Sequence, residues 1–332
     1  MMAMPRLSEK YVSGSDESEG ARTTAALLRL ARKYADAHLN KDGVATTPIP
    51  GVFILSEAAP SLLQFAITKP LLALVLQGRK RVTMGNHIFE FGAGESLLVT
   101  VDVPTVSQVI TASAATPYYS LVVELDAAVI TELVSDMGKL EVTPDLPVRV
   151  DQIEQDVAEA ALHLLKLLDR PHALKMLGRQ MVRELHYWLL SGRYGKSMRA
   201  LGNIDSHARR IARAVEIIRV KYGQPLRVKT LADAAGMSLS VFHTHFRNVT
   251  TLTPLQFQKQ LRLVEARRRM LAEGAAISTA AHGVGYESVT QFTREYSRMF
   301  GHPSARSIRE ARKSEELAKP ELRSPSGKGR TR

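Results

Sequence analysis

Residues 228–254 read VKTLADAAGMSLSVFHTHFRNVTTLTP, and residues 277–303 read ISTAAHGVGYESVTQFTREYSRMFGHP. The two stretches repeat one pattern: Val228, Thr230, Ala232 and Gly236 recur as Ile277, Thr279, Ala281 and Gly285, 49 positions later. Phe242 and Phe246 recur as Phe292 and Tyr296 at an offset of 50, and Pro254 and Pro303 restore the offset of 49. Each copy predicts a short apolar helix, a glycine-containing turn and a second helix with an aromatic pair at i and i+4. This layout is typical of a helix-turn-helix unit.

The second helix of each copy presents a polar face opposite its aromatic residues. At 100° per residue, Phe242 and Phe246 point inward in the first copy, as Phe292 and Tyr296 do in the second. The outward faces then carry Ser240, His243, Thr244 and Arg247 in the first copy, and Thr290, Thr293, Arg294 and Ser297 in the second. Such side chains suit base edges and phosphates in a major groove. We expect Arg294 to contact guanine and Arg247 to contact phosphate.

A long helix is predicted between the two copies. Thr253 can cap it, Pro254 can occupy its first position, and Gly274 can end it. Some twenty residues at 1.5 Å each give about 30 Å. Because successive major grooves on one face of DNA are about 34 Å apart, the pattern predicts two recognition helices in neighbouring grooves.

Positive charge is concentrated around the repeat. The whole chain carries a net charge of +12, and residues 207–312 alone carry +11, with 18 Lys and Arg against 7 Asp and Glu. A compact basic block is the electrostatic signature of a nucleic-acid binder. We predict five segments: a disordered tail at 1–20, a sensor domain at 21–190, a linker at 191–206, the DNA-binding domain at 207–310 and a disordered basic tail at 311–332.

The first half of the chain indicates strands followed by helices. Short apolar runs alternate with turn signals between Pro48 and Leu125, at intervals typical of an antiparallel sandwich or barrel, and Val103-Pro104 is among the turn signals. Helices are predicted at Arg22–Leu39, Ala127–Met137, Asp151–Asp169 and Ala173–Leu190. The predicted fold class is therefore α+β multidomain, a β-barrel with trailing amphipathic helices and an all-α double helix-turn-helix.

With these motifs in place, residues 207–305 resemble the DNA-binding domain of the AraC/XylS family of bacterial transcription regulators. The resemblance lies in Ala232, Gly236, Gly285-Tyr286 and the closing Phe300-Gly301-x-Pro303. Residues 45–190 are similar to the cupin-like N-terminal domain of one subgroup, through Pro48-Ile-Pro-Gly51, Leu74-Val-Leu-Gln-Gly-x-Lys80 and Gly94-Glu-x-Leu-Leu-Val99.

The resemblance implies a sequence-specific regulator that acts with RNA polymerase on double-stranded DNA. It implies dimerisation through the N-terminal domain, with a small effector bound in the barrel. It also places base contacts at Ser240, His243, Thr244, Thr290, Gln291 and Arg294, of which Gln291 comes mainly from the family pattern. The effector, the operator and the sign of regulation stay open, as do the residues that line a pocket.

Nothing in the sequence favours catalysis, a metal or another cofactor. There is no cysteine, and residues 40–150 contain one histidine, His87, against the several ligands that a metal site needs. No apolar run exceeds the six residues Leu71–Leu76, and no signal peptide is evident, so we expect a cytoplasmic, nucleoid-associated protein without a membrane partner. Two alternatives remain: a non-specific architectural DNA binder, and a cupin enzyme with an accessory DNA-binding domain.

Overall fold

The computed structural model describes residues 14–85, 87–138, 147–202 and 207–309. Within these ranges, ten strands precede residue 153: β1 Val44–Thr46, β2 Val52–Glu57, β3 Gln64–Thr68, β4 Leu71–Gln77, β5 Arg79–Met84, β6 His87–Gly92, β7 Glu95–Val99, β8 Val103–Thr111, β9 Tyr118–Glu124 and β10 Val148–Gln152. The helices are α1 Gly14–His38, α2 Ala127–Met137, α3 Gln155–Leu167, α4 Pro171–Ser191, α5 Gly195–Gly202, α6 His207–Lys221, α7 Val228–Ala234, α8 Leu239–Thr250, α9 Pro254–Ala272, α10 Ile277–Gly283 and α11 Val289–Phe300. The predicted α+β fold class is confirmed.

The strands form two antiparallel sheets that share a buried apolar core. One sheet has the order β1-β2-β9-β4-β7-β10, and the other has β3-β8-β5-β6. The barrel core, as we call it, takes side chains from both sheets: Ala73, Val75, Val82, Met84, Phe91, Leu97, Val99, Val101, Val103, Val109, Tyr118, Val122 and Val148. Along β4, β5 and β7, every second residue points into this core, as the alternation of side chains in a strand requires.

The other face of the larger sheet is covered by helices. In β4, Leu72, Leu74 and Leu76 point to this side, while Ala73 and Val75 point into the barrel core. Leu164 of α3 and Leu189 of α4 are buried in the same cluster as those leucines. Because β4 is buried on both faces, its sequence is a continuous apolar run instead of an alternating one.

Several boundaries differ from the sequence prediction. Helix α1 begins at Gly14, so the prediction of a disordered tail is wrong for residues 14–20, and residues 1–13 lie outside the described part. The helix predicted from Asp151 begins at Gln155, because Val148–Gln152 instead pairs with β7 as strand β10. Val103-Pro104 opens strand β8 and is not a turn.

The predicted linker at 191–206 is also corrected. Residues 195–202 form helix α5, and its Met198 and Leu201 are buried among the helices that cover the larger sheet. Their apolar contacts hold this segment to the N-terminal domain, although Gly, Ser and Arg dominate its composition. Residues 203–206 and the predicted basic tail at 311–332 lie outside the described residues.

The chain divides into two compact units. One comprises Met1–Glu216 with Val228–Pro254, and the other comprises Ile217–Arg227 with Leu255–Arg332. The first helix-turn-helix is thus grouped with the N-terminal domain, and Val249 of α8 packs against the barrel core. None of the helices in the described ranges is long and apolar enough to span a bilayer.

Candidate nucleic-acid interface

Helices α7 and α8 form the first helix-turn-helix unit. Gly236 has a φ of +60° in the turn, a conformation that a side chain disfavours. The Ser238 side chain then accepts a hydrogen bond from the backbone N–H of Val241 and caps α8. Phe242 and Phe246 are fully buried with ring centroids 5.4 Å apart, which fixes the rotation of α8 about its axis.

The predicted outward face of α8 is exposed. Ser240, His243, Thr244 and Arg247 are all accessible to solvent. The Thr244 hydroxyl donates 3.3 Å to the carbonyl of Ser240 and remains able to accept. Within the described residues the Arg247 guanidinium has no hydrogen bond and no ion pair. The structure therefore places the four predicted residues on one open surface, with the cation unengaged.

The second unit, α10 and α11, repeats this construction. Gly285 has a φ of +88° in the turn, and the Ser288 side chain caps α11 by accepting from the N–H of Gln291. Phe292, Tyr296 and Phe300 are buried along one face of α11. These rings set the helix rotation as the aromatic pair of α8 does.

The predicted outward residues of α11 differ in their exposure to solvent. Thr290, Gln291 and Arg294 are exposed, and Arg294 makes no ion pair or hydrogen bond with any described residue. Thr293 and Ser297 are half-buried, and their hydroxyls donate to the backbone carbonyls of Val289 and Thr293, each at 2.9 Å. Since both hydroxyl protons are used inside the helix, Thr290 and Arg294 are the best placed of this set for DNA.

A buried carboxylate lies beneath α11, and sequence reasoning missed it. Glu295 is 9% exposed and accepts from Lys259 Nζ at 2.9 Å, from the Tyr286 hydroxyl at 2.8 Å and from the Gln291 amide at 3.3 Å. Burial by itself would raise the pKa of Glu295, but these three hydrogen bonds outweigh it and hold the pKa below its ordinary value. Gln291 is thus partly committed to holding Glu295, and it lines a cavity of about 780 Å³ beside α9.

Two arginines hold the turn glycines of the repeat, and neither was singled out from the sequence. Arg210 donates to the carbonyls of Ala235 and Gly236 in the first unit. Arg262 donates to the carbonyl of Gly285 at 3.0 Å and to that of Tyr222 at 2.7 Å in the second. The sequence does not distinguish these two arginines from the many others in the basic block, because the residue type does not show whether a side chain faces DNA or a backbone carbonyl.

Other charges of the basic block pair with one another. Arg268 contacts Glu265 and Glu273, each at 2.8 Å, and Arg269 contacts Glu265 at 3.1 Å. Hydrogen bonds from Arg268 lead the effects that lower the pKa of Glu265. The surface left for phosphates therefore depends on the exposed, unpaired cations such as Arg247 and Arg294 more than on the net charge.

Two family models match the chain. Residues 48–197 match the N-terminus of AraC-type transcriptional regulators, and residues 231–309 match a helix-turn-helix domain. Over 79 residues the chain is 30% identical to the HTH-type transcriptional activator RhaS of Pectobacterium carotovorum, covering 24% of this chain and 28% of RhaS. It is 25% identical over 173 residues to the thermoregulatory protein LcrF of Yersinia pestis, covering 51% of this chain and 62% of LcrF. The chain thus spans less than two thirds of either relative.

A solved structure shares the two-domain fold. ToxT of Vibrio cholerae, in a crystal structure with a bound unsaturated fatty acid, superposes with a TM-score of 0.52. The match covers 78% of this chain and 93% of ToxT at 9% sequence identity. At this identity the likeness concerns the fold alone.

Proposed function

We propose that this chain, which matches the N-terminus of AraC-type transcriptional regulators over residues 48–197 and a helix-turn-helix domain over residues 231–309, is a sequence-specific DNA-binding regulator of transcription. The observation that supports the proposal best is the pair of exposed polar helix faces within a block of net charge +11. Each face carries one arginine without a partner among the described residues, Arg247 on α8 and Arg294 on α11. A solvated face alone would not account for the same arrangement twice, on two helices each fixed by buried aromatic residues.

In this proposal the two recognition helices enter successive major grooves. Ser240, His243 and Thr244 contact bases from α8, as do Thr290, Gln291 and Arg294 from α11. Arg247 contacts phosphate, and Thr293 and Ser297 are supporting contacts at the rim. The protein acts in the cytoplasm at the nucleoid, with RNA polymerase as a further partner, and has no catalytic role.

The N-terminal domain is proposed to bind a small effector and to dimerise. Its fold is that of a relative solved with a small molecule, and the family model of its N-terminus covers both the barrel and the helices that follow. Helix α4 exposes three large apolar side chains, Met176, Leu177 and Tyr187, which supports self-association through this helix. We expect Met176→Glu to shift the purified chain toward a smaller mass in light scattering, whereas an unchanged mass would place the dimer contact elsewhere.

Selection of bound fragments from the host genome tests the function. The purified full chain is incubated with genomic fragments at near-physiological salt and excess competitor DNA. We expect a short recurring motif for the natural chain, and a motif degenerate at one position for Arg294→Ala. Uniform recovery of all fragments by both proteins would instead indicate a non-specific architectural binder.

A further inference from the structure

Gln291 lies in the first turn of α11, and both its backbone and its side chain are held. The Ser288 hydroxyl accepts a hydrogen bond from the backbone N–H of Gln291 at 3.3 Å. Residues four apart are neighbours on a helix surface, and the Gln291 amide nitrogen donates to the Glu295 carboxylate at 3.3 Å. An exposed side chain at the start of a recognition helix is thus tied at two points, where such helices contact base edges.

The carboxylate of Glu295 has no proton to donate. It also accepts from Lys259 Nζ at 2.9 Å and from the Tyr286 hydroxyl at 2.8 Å. Burial raises the pKa of Tyr286, so the phenol keeps its proton. Burial works against ionisation of Glu295, but the hydrogen bonds that it accepts outweigh burial and hold its pKa below the ordinary value. Glu295 is therefore ionised, and an ionised carboxylate only accepts.

A partner that only accepts fixes the orientation of the Gln291 amide. An amide carries two donors on its nitrogen and an acceptor on its oxygen, and a rotation of the end group by half a turn exchanges them. The nitrogen faces Glu295, because the amide oxygen and the carboxylate would repel each other. The amide oxygen is therefore turned away from Glu295, and no residue in the described ranges donates to it.

From this arrangement we propose that Glu295 is a positioning residue for DNA recognition, which makes Gln291 present its carbonyl oxygen to the base edges. In the major groove this oxygen accepts from the amino group of adenine or cytosine, whereas guanine O6 and thymine O4 are themselves acceptors. Adenine also offers N7 to the remaining amide N–H. Gln291 then selects adenine or cytosine against guanine or thymine at one operator position. The inference rests on the proposed function, in which Gln291 contacts a base, and it assigns the class of base.

The first recognition helix lacks this arrangement. At the offset of 50 that relates the aromatic pairs, Gln291 and Glu295 correspond to Val241 and His245. Val241 has no polar group, and the His245 ring stacks on that of His207 with centroids 3.7 Å apart. The two copies of the repeat therefore share their buried aromatic residues but differ in how this position can meet a base.

Selection from a library of randomised duplexes measures the base preference. The full chain and its variants are each incubated with the library, and the bound sequences are counted. Gln291→Ala identifies the position that this residue reads, because selection is lost there. We expect the natural chain to prefer adenine or cytosine at that position by at least about 5-fold over guanine or thymine, the lower end for a specific base contact.

Glu295→Gln tests the positioning role itself. An amide at position 295 has both donors and an acceptor, so it accommodates either orientation of the Gln291 amide. We expect this variant to lose the discrimination between amino and carbonyl bases at the Gln291 position. Selection at the position that Arg294 reads, identified in the same way with Arg294→Ala, should stay unchanged. A general loosening of α11 would degrade both positions together.

Two matched variants separate positioning from stability. Tyr286→Phe removes one donor to Glu295 and leaves the carboxylate, so it should lower the urea midpoint of the full chain and keep the base preference. Glu287→Gln makes the same change of charge at an exposed acid before α11 and should alter neither the midpoint nor the preference. If Tyr286→Phe lost the preference as Glu295→Gln does, Glu295 would act through stability alone and the proposal would be overturned.

The outcomes distinguish this inference from the proposed function. A chain that selects a motif but prefers guanine or thymine at the Gln291 position would overturn the positioning role and leave the regulator intact. The same holds if Glu295→Gln keeps the natural preference, or if Gln291→Ala changes no position. A chain that selects no motif would refute the proposed function, and the inference with it, because no base would be read.

Discussion

Replacing Glu295 by alanine is the sharpest test of how the second recognition helix is held. Its carboxylate accepts from Tyr286, Lys259 and Gln291, and the Tyr286 hydroxyl has no other acceptor among the described residues. Tyr286 is itself only 6% exposed, so its hydroxyl would be left buried and unpaired. We therefore expect the variant to destabilise the unit that contains α11.

The magnitude follows from the exposure of each partner. An orphaned buried hydroxyl costs about 1–3 kcal/mol. Lys259 is 52% exposed and rehydrates when the carboxylate is removed, so its ion pair adds under about 1 kcal/mol. Gln291 is exposed and adds little. The total is a loss of about 1–4 kcal/mol in the free energy of unfolding for Glu295→Ala, and about 1 kcal/mol for Glu295→Gln, which keeps an acceptor.

Urea unfolding followed by two signals measures this loss. The chain has one tryptophan, Trp188 in α4, so its fluorescence reports on the N-terminal domain, whereas far-ultraviolet circular dichroism reports on all helices. We expect the fluorescence transition to stay in place and part of the dichroism transition to move to lower urea. Glu287→Ala, which removes an exposed acid from the turn before α11, is the matched control. A loss below about 0.5 kcal/mol for Glu295→Ala, similar to that of a surface substitution, would refute the reasoning.

The stability that Glu295 contributes depends on pH, and the lowered pKa sets the direction of this dependence. The pKa of Glu295 is lowered in the folded chain, so its contribution is fully present above the ordinary carboxyl pKa. The contribution is lost as pH falls through the lowered value, because the unfolded chain then binds the proton more readily. The difference in stability between the natural chain and Glu295→Ala should therefore shrink toward acid pH.

Three further predictions concern DNA binding and the first unit. Arg294→Ala should weaken binding to a specific site by about 1–3 kcal/mol and relax selection at one base position, whereas equal weakening on every sequence would make it a phosphate contact. Arg247→Ala should weaken all sequences alike and reduce the salt slope of log K by about 1, and an unchanged slope would contradict a phosphate contact. Phe246→Ala should destabilise the first unit by about 3–5 kcal/mol in urea unfolding, since its ring is fully buried, and a loss under about 1 kcal/mol would show that α8 is not held by its aromatic face.

The helix-turn-helix units are readable from the sequence because local signals determine them. Gly236 and Gly285 occupy positive-φ positions, Ser238 and Ser288 cap the second helices, and a buried aromatic pair follows at i and i+4. Each signal acts within a dozen residues, so no knowledge of tertiary contacts is needed. The same holds for strands β2, β4 and β9, whose apolar runs are long enough to identify.

Strand β5 shows why other elements are missed. Its sequence RKRVTM begins with three cations and lacks the apolar alternation expected of a half-buried strand, because Lys80 takes an inward position. Strand β8 begins at Val103-Pro104, and proline there indicated a turn although it pairs with Ile67 of β3. The sequence likewise predicts a linker where helix α5 lies, since only Met198 and Leu201 indicate that this segment is buried. In each case tertiary contacts override the local pattern.

Several arginines of the basic block at residues 207–312 are already bonded within the protein. Arg210 and Arg262 donate to backbone carbonyls at the turns, while Arg268 and Arg269 pair with Glu265. Arg210 and Arg262 hold the turns that precede the recognition helices, whereas the donors of Arg268 are occupied by Glu265 and Glu273. In the proposed regulator, we therefore expect phosphate contacts from exposed cations such as Arg247, whose guanidinium has no partner among the described residues. In the same proposal, base contacts from α8 and α11 decide which of the many competing sites in a genome the regulator occupies.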